Sequence, residues 1–461
     1  MSKGREVVNK NVDDVEMVLG NEPDEYEYEE EGDDYYDDDY ESNLDISNEI
    51  DQGPEIGPWN FSDDSRPGKI RRYNYDTNPC LDRRSMLSSF GHGGLDLNVD
   101  IKSQDADYSE FPEPSEESGI PFEVETMIIA RTPLLEMRRL CSLNKPIMRF
   151  IKSGDLIKER KRIGAREACV FMFASGERNW WAFDQKFLVR KILPELPSDY
   201  TFRFSDKESL CAGTHLLVFG KEIVGPAVWT YEVLENKWYK STSMVDSRCL
   251  FASASSGDFA YVAGGTSPET NVILNSAEKY DPANRSWDPL PKMKEKRRMC
   301  AGVYMDNKFY VIGGQNQTGD AFTCAEVFDE NKNTWVKIPG ILNGLTTSDS
   351  PPLVAVVNND LYIFETSTNC LLVYLKNSNS WKDLGPIPVR ADIRKGWGVA
   401  FKSLGNELLA IGGSNISPFG RGMTVFTCSP NPNADRLDWK LLDDGRNSRS
   451  AFVMNCTVMV A

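Results

Sequence analysis

From residue 168 onward the chain alternates short apolar runs with polar turns. Lys308-Phe309-Tyr310-Val311-Ile312, Asp360-Leu361-Tyr362-Ile363-Phe364 and Glu407-Leu408-Leu409-Ala410-Ile411 are rich in β-branched, aromatic and aliphatic residues, the pattern of β-strands. Met305-Asp306-Asn307-Lys308, Asn358-Asn359-Asp360 and Asn377-Ser378-Asn379-Ser380 separate such runs with turn formers. A longer period overlies this alternation. Paired glycines, then Ala-Glu-x-aromatic-Asp, then a tryptophan read Gly264-Gly265, Ala277-Glu278-Lys279-Tyr280-Asp281 and Trp287, and again Gly313-Gly314, Ala325-Glu326-Val327-Phe328-Asp329 and Trp335. The copies stand 49 residues apart at the glycines and 48 at the tryptophans. Fainter copies continue the series, with Trp238 49 residues before Trp287, Trp381 46 after Trp335, and Gly412-Gly413 99 after Gly313-Gly314. A fixed period of this size marks a repeat architecture, because one unit cannot bury its apolar face alone and its neighbours must stack on it.

Upstream the period changes from strand to helix. Val124, Met127, Ile128 and Arg131 recur at helical spacing after Pro121, and Pro133 ends that helix by disfavouring helical geometry at Thr132. A second helix is expected to carry Leu134, Met137, Leu140 and Cys141. A third, after Pro146, carries Ile147, Phe150 and Ile151, with Ser153-Gly154 as its stop and Leu156-Ile157 beyond.

The repeated phrase resembles the kelch repeat, whose unit is a four-stranded propeller blade with a diglycine after its second strand. The resemblance implies that Gly264, Gly265, Gly313, Gly314, Gly412 and Gly413 supply backbone freedom where no Cβ is tolerated. It also implies that Tyr280, Phe328, Trp287, Trp335 and Trp381 fill the space between blades, with polar tips reaching loop backbone. Two copies depart from the pattern, Glu365-Thr366 and Gly220-Lys221 standing where diglycine is expected. Residues 168–174, 179–184 and 187–193 read as the second, third and fourth strands of a blade whose first strand is missing, while the strand-like 450–460 has no blade of its own. The last segment is therefore expected to supply the missing strand and close the ring, which removes exposed sheet edges. Residues 168–461 number 294, or six periods of 49, so six blades are expected.

The helical segment resembles the F-box. The opening pattern is carried by Ile120, Pro121, Glu123, Val124, Ile128, Ile129, Arg131 and Pro133, and a later stretch by Arg138 or Arg139, Ser142, Leu143 and Lys145. Pro146-Ile147-Met148 departs from it, where the family commonly continues a helix. The order of acidic tail, F-box-like helices and carboxy-terminal kelch repeats is similar to that of plant-type F-box/kelch-repeat proteins. That resemblance implies a substrate-recognition subunit of a Skp-cullin-F-box ubiquitin ligase. The F-box would grip a Skp-type adaptor, and through it cullin, while the propeller would hold an unidentified protein substrate. The residues expected to touch the adaptor are Pro121, Val124, Ile128, Pro133 and Leu134. The alternative is a non-degradative kelch scaffold with a degenerate F-box.

Charge sharpens the domain division. The net charge of −18 is uneven, residues 1–120 holding 33 Asp+Glu against 10 Lys+Arg, which leaves a net of +5 for the rest. Glu22 to Tyr40 is a run of Asp, Glu and Tyr too poor in apolar residues to offset ordering entropy, so residues 1–118 are expected to be a disordered acidic tail. Tyr26, Tyr28, Tyr35, Tyr36 and Tyr40 are candidate phosphorylation sites there, and Lys69, Arg71, Arg72, Arg83 and Arg84 a weak match to a nuclear localisation signal. The expected architecture is thus the tail at 1–118, a small all-α F-box-like segment at 119–165, and an all-β six-bladed kelch propeller at 168–461.

Other function classes find little in the sequence. With only His92 and His215, no multi-histidine metal site can be assembled, and neither enzyme chemistry nor a cofactor is expected. Gly313 to Gly319 lacks the Gly-Lys-Ser/Thr ending of a phosphate-binding loop. The basic clusters Lys158, Arg160, Lys161, Arg162, Arg166 and Lys292, Lys294, Lys296, Arg297, Arg298 read as solvated surface, since a folded net of +5 does not favour nucleic acid. Ten cysteines with no C-x-x-C pair suggest reduced, packed thiols. With no apolar core near the N-terminus and no stretch long enough to span a bilayer, a cytoplasmic or nuclear location, or both, is expected and no membrane partner.

Overall fold

The computed structural model describes residues 119–346, 350–390, 396–414 and 422–461. The acidic run, the candidate phosphorylation tyrosines, the basic residues between Lys69 and Arg84, and His92 lie outside the described residues.

The first described elements are helices. Pro121, with φ −55°, leads into α1 (Phe122–Ala130), where Glu123 and Glu125 occupy the first turn and complement the exposed N–H groups of the helix start. Pro133 follows it and opens a 3₁₀ turn at Leu134–Glu136, which runs directly into α2 (Met137–Leu140). Asn144 caps α3 (Lys145–Lys152), its side chain accepting from the Ile147 N–H at 2.8 Å. Pro146 is the second residue of that helix, where a missing N–H costs no hydrogen bond. The departure from the F-box pattern at Pro146 therefore begins a helix and does not interrupt one. Gly154, at φ +83°, reverses the chain into α4 (Asp155–Arg162), so Leu156-Ile157 belongs to a fourth helix.

Six antiparallel sheets follow. Blade 1 holds β1 (Ala168–Ala174), β2 (Trp181–Asp184) and β3 (Arg190–Ile192), after which a short helix, α5 (Tyr200–Phe204), leads into blade 2. Blade 2 holds β4 (Glu208–Ala212), β5 (His215–Glu222), β6 (Gly225–Glu232) and β7 (Lys237–Lys240). Blade 3 holds β8 (Ala252–Ser255), β9 (Ala260–Ala263), β10 (Ala277–Asp281) and β11 (Ser286–Leu290), and blade 4 holds β12 (Ala301–Met305), β13 (Lys308–Ile312), β14 (Ala325–Asp329) and β15 (Thr334–Ile338). Blade 5 holds β16 (Leu353–Val357), β17 (Asp360–Glu365), β18 (Cys370–Leu375) and β19 (Ser380–Pro386). Blade 6 gains a short extra strand, β20 (Val389–Arg390), beside β21 (Ala400–Leu404), β22 (Glu407–Ser414), β23 (Thr424–Cys428) and β24 (Lys440–Asp444). The last strand, β25 (Val453–Val460), pairs antiparallel with β1, Ala168 opposite Val460 and Phe171 opposite Thr457. The described residues form a six-bladed β-propeller with helices α1 to α4 before it and α5 between blades 1 and 2.

The side-chain alternation of a strand explains why the blades form a ring. In β1, Cys169 and Phe171 pack with Cys211 and Tyr231 of blade 2, whereas Val170 and Met172 pack with Leu409 and Ile411 of blade 6. Each blade is apolar on both faces and buries each against a different neighbour, so the core is a circle of six interblade clusters. The helical segment adds to one joint only. Ile129, Leu134, Leu135, Met137, Ile151 and Leu156 join the cluster between blades 1 and 2.

Candidate functional site

The described residues offer two surfaces for a partner and no evident reaction centre. No group of three or more His, Cys, Asp or Glu side chains among them is placed to hold a metal ion. His215 is a buried residue of β5, its Nε2 2.8 Å from Glu232 Oε2 within blade 2 and its Nδ1 3.0 Å from the Tyr280 hydroxyl of blade 3, so both ring nitrogens are engaged in packing contacts.

The first surface lies on α1. One side of this helix is buried through Ile129 and Ala130, and the other leaves Val124 37% and Ile128 56% exposed one turn apart, an apolar strip, while Phe122, 37% exposed, starts the helix on the buried side. Ile120 and Leu143 are exposed apolar residues of the same segment, and the Phe122 ring meets Phe150 edge-on at 6.5 Å. Of the expected adaptor contacts, Pro121, Val124, Ile128 and Pro133 are exposed. Leu134 is 1% exposed and faces the blade 1 to blade 2 cluster, so it holds the segment in place from within and presents no surface of its own.

The second surface is the propeller, whose repeat residues build the joints between blades. Tyr280 pairs in register with Trp287, Phe328 with Trp335 and Tyr374 with Trp381, with ring centroids 5.0, 5.3 and 5.2 Å apart. The indole N–H of Trp335 donates to the Pro291 carbonyl at 2.7 Å and that of Trp381 to Ile341 at 2.6 Å, tying each blade to the one before it. Trp238 does the same to Pro194 at 2.8 Å, while the buried Trp287 N–H has no partner among the described residues. Gly265 and Gly314 have φ +90° and +92°, and a Cβ on either would lie 2.6 Å from a carbonyl oxygen, of Cys249 and Arg298 respectively. Gly264 and Gly313 share this positive-φ corner. Gly412 and Gly413 do not. They lie inside β22, where Gly413 pairs with Arg390 of β20, and that added strand takes the place of the corner.

A further repeated device is buried between the blades, and it takes Arg297 out of the solvated surface expected for its basic cluster. Arg297, fully buried, pairs with buried Glu326 at 2.9 Å and donates to the carbonyls of Gly313 and Cys324 at 2.8 and 3.3 Å. Arg248 repeats this with Glu278 at 2.5 Å and the carbonyls of Gly264 and Ser276 at 2.9 Å each. Each glutamate also accepts two backbone N–H groups from the loop entering the arginine, Lys294 and Glu295 in one case and Val245 and Asp246 in the other. The signal that could have found them is the period, since the arginines are 49 residues apart and the glutamates 48. Of the second basic cluster, Lys292, Lys294 and Lys296 are exposed as expected of a loop, but Arg297 is a joint residue; of the first, Arg160 is likewise buried.

Blade 2 departs from the repeat in a way that reaches the surface. Its β5–β6 hairpin has 8 residues in each strand against 5 in β13 and β14, and its tip leaves Ile223 and Val224 exposed. The α5 helix packs Phe202 against Gly220, where a Cβ would lie 2.8 Å from the ring, so residue 220 stays glycine, while Lys221 continues the β5–β6 pairing where diglycine would turn the chain. Asp199 caps α5 through the Phe202 N–H at 2.9 Å and accepts from the Ile223 N–H at 2.7 Å, so Tyr200 and Phe204 of α5 and the hairpin tip form one exposed apolar region.

Comparison with known proteins gives three results. The Kelch motif matches residues 247–294 and 296–340, the blades with both diglycine and Arg–Glu pair. F-box/kelch-repeat protein At3g27150 of Arabidopsis thaliana is 45% identical over 409 residues, covering 86% of this chain and 96% of its own. F-box/kelch-repeat proteins At1g26930 and SKIP11 of the same plant are 37% and 36% identical over 69% of this chain, and 77% and 70% of theirs.

Proposed function

The chain belongs to the F-box/kelch-repeat proteins, and from that membership we propose that it is the substrate-recognition subunit of a Skp-cullin-F-box ubiquitin ligase. The helical segment at 119–165 acts as the F-box and binds a Skp-type adaptor, and through it cullin. The propeller at 168–461 binds the protein to be ubiquitinated. The observation that carries this reading is the apolar strip of α1, unpartnered on one side while the other side is anchored to the propeller. Pro121, Val124, Ile128 and Pro133 are the proposed contacts, with Leu134 acting through the position of α1. Such a subunit needs no chemistry of its own, because holding a substrate beside a loaded ubiquitin carrier raises their effective concentration. A cytoplasmic or nuclear setting, or both, is part of the proposal, supported by nine free cysteines among the described residues.

The test is copurification of the full chain with a Skp-type adaptor from plant cells, with wild type and Ile128→Lys. Ile128 is 56% exposed, so the substitution leaves the free fold nearly unchanged, while burying an ammonium at the interface should cost about 2 kcal/mol or more, roughly thirtyfold in affinity. Retention of adaptor by the variant, or its absence with wild type, contradicts the proposal and leaves a non-degradative kelch scaffold as the reading.

A further inference from the structure

Arg160 is 1% exposed on α4, a helix whose Asp155, Lys158, Lys161 and Arg162 lie toward solvent. Its guanidinium is shared by three separate stretches of chain. Nη1 donates to the carbonyls of Ala130 and Thr132, at 2.9 and 2.8 Å, where α1 ends. Nε donates to the carbonyl of Ala461 at 3.3 Å, and Nη2 lies 3.5 Å from Glu167 Oε1. Glu167 completes the circuit. Its carboxylate accepts from the Leu134 N–H, its own N–H donates to the Ala461 carbonyl at 3.0 Å, and its carbonyl accepts from the Ala461 N–H at 3.2 Å. Ala461 follows β25, the strand that completes blade 1, and is itself fully buried.

A buried guanidinium is tolerated only where its donors find acceptors, and buried carbonyls only where they find donors. Removing this cation takes the side-chain donor from the carbonyls at the end of α1 and one of two donors from the Ala461 carbonyl, which keeps the Glu167 N–H, and it leaves Glu167 without its cation. The same helix is held a second time, since Lys161 of α4 and the nearby Arg166 both reach Asp258 in the β8–β9 turn of blade 3, at 2.8 and 2.5 Å.

We propose that Arg160 is a positioning residue that couples α1 to closure of the propeller by β25, so that the helical segment latches the ring and the two partner surfaces move as one body. The physical warrant is a single guanidinium bonded to both ends, whose loss weakens both at once, not mere proximity. The consequence for a ligase, a fixed span from adaptor to substrate, rests on the proposed function above. The coupling itself does not.

The test is hydrogen exchange on the full chain without adaptor, comparing wild type, Arg160→Met and Arg297→Met. Arg160→Met is expected to speed exchange by about tenfold or more in α1 and in the β1–β25 pair together, with blades 4 and 5 unchanged, as loss of a charged buried hydrogen-bond network implies. Arg297→Met should loosen the joint between blades 3 and 4 and leave β25 at the wild-type rate. Faster exchange in α1 with β25 unchanged, or the reverse, overturns the coupling. Should Arg160→Met fail to fold, Arg160→Lys keeps the charge without the fork and is expected to give a smaller rise in both places, and wild-type exchange in both would overturn the proposal. Because adaptor is absent, failure here leaves the adaptor reading to its own copurification test, and failure there leaves the latch intact.

Discussion

Substituting Arg297 by Met tests whether the repeated Arg–Glu pair holds adjacent blades together. The methionine fills much of the aliphatic volume, so the loss is that of the guanidinium: two hydrogen bonds to the carbonyls of Gly313 and Cys324 and the ion pair with Glu326. Breaking a buried pair by removing one partner costs about 3–5 kcal/mol, because the other charge stays buried. Here Glu326 keeps the N–H groups of Lys294 and Glu295, so the expected cost lies at the low end, about 3 kcal/mol. Adding Glu326→Gln removes the uncompensated charge and should restore roughly 1–2 kcal/mol of the loss, a coupling within the range for contacting residues. The assay is urea unfolding followed by tryptophan fluorescence, compared at equal m. Arg248→Met, one blade earlier, loses the equivalent contacts and also bonds to the Asp246 carbonyl and the Ser276 hydroxyl, so it should cost at least as much as Arg297→Met. A single variant within about 0.5 kcal/mol of wild type would refute the reasoning, since a surface substitution behaves that way.

Three other outcomes follow from the joints. Trp335→Phe should cost about 1 kcal/mol more than Trp287→Phe in the same unfolding assay, because only Trp335 loses an indole hydrogen bond, to Pro291; equal costs would contradict this. Gly314→Ala should destabilise by about 2 kcal/mol or more, since φ +92° and the Arg298 carbonyl both exclude a Cβ, whereas Gly413→Ala should be near neutral with its nearest contact, Ala451, at 3.6 Å; thermal melts that rank them the other way would refute the corner assignment. Burial pushes the thiols of Cys211 and Cys456 up to about 12 and that of Cys300 up to about 11, so native protein at pH 8 should react with iodoacetamide at exposed Cys249 well before these three, as peptide mass mapping would reveal.

How far the sequence could be read depends on whether a feature is local. Strand alternation, the positive-φ glycines at 264, 265, 313 and 314, and the tryptophan spacing are set by neighbours along the chain, and they gave blade number and family resemblance directly. Arg297 was visible too, but its burial depends on Glu326 and Gly313, brought up by the next strands, and a run of five basic residues otherwise resembles solvent-exposed loop. Gly412-Gly413 carries the right letters and the wrong conformation, because β20 arrives from an earlier stretch and pairs with it as strand. The α4 helix escaped the periodicity because Leu156 is its one buried apolar residue; its other inward group is a charge, Arg160. The same argument places Leu134: an apolar residue after a proline looks like a surface anchor until the blade 1 to blade 2 cluster is known to cover it.

The central claim, that the α1 strip recruits the ligase and the propeller brings it a target, is tested most directly by the fate of a propeller-bound protein. Partners captured by proximity labelling with Ile128→Lys, expected to keep the propeller and lose the adaptor, would be followed for abundance in cells expressing either form. The account predicts that at least one partner falls with wild type, recovers when the proteasome is inhibited, and stays level with Ile128→Lys. Partners whose levels are the same with both forms would contradict it.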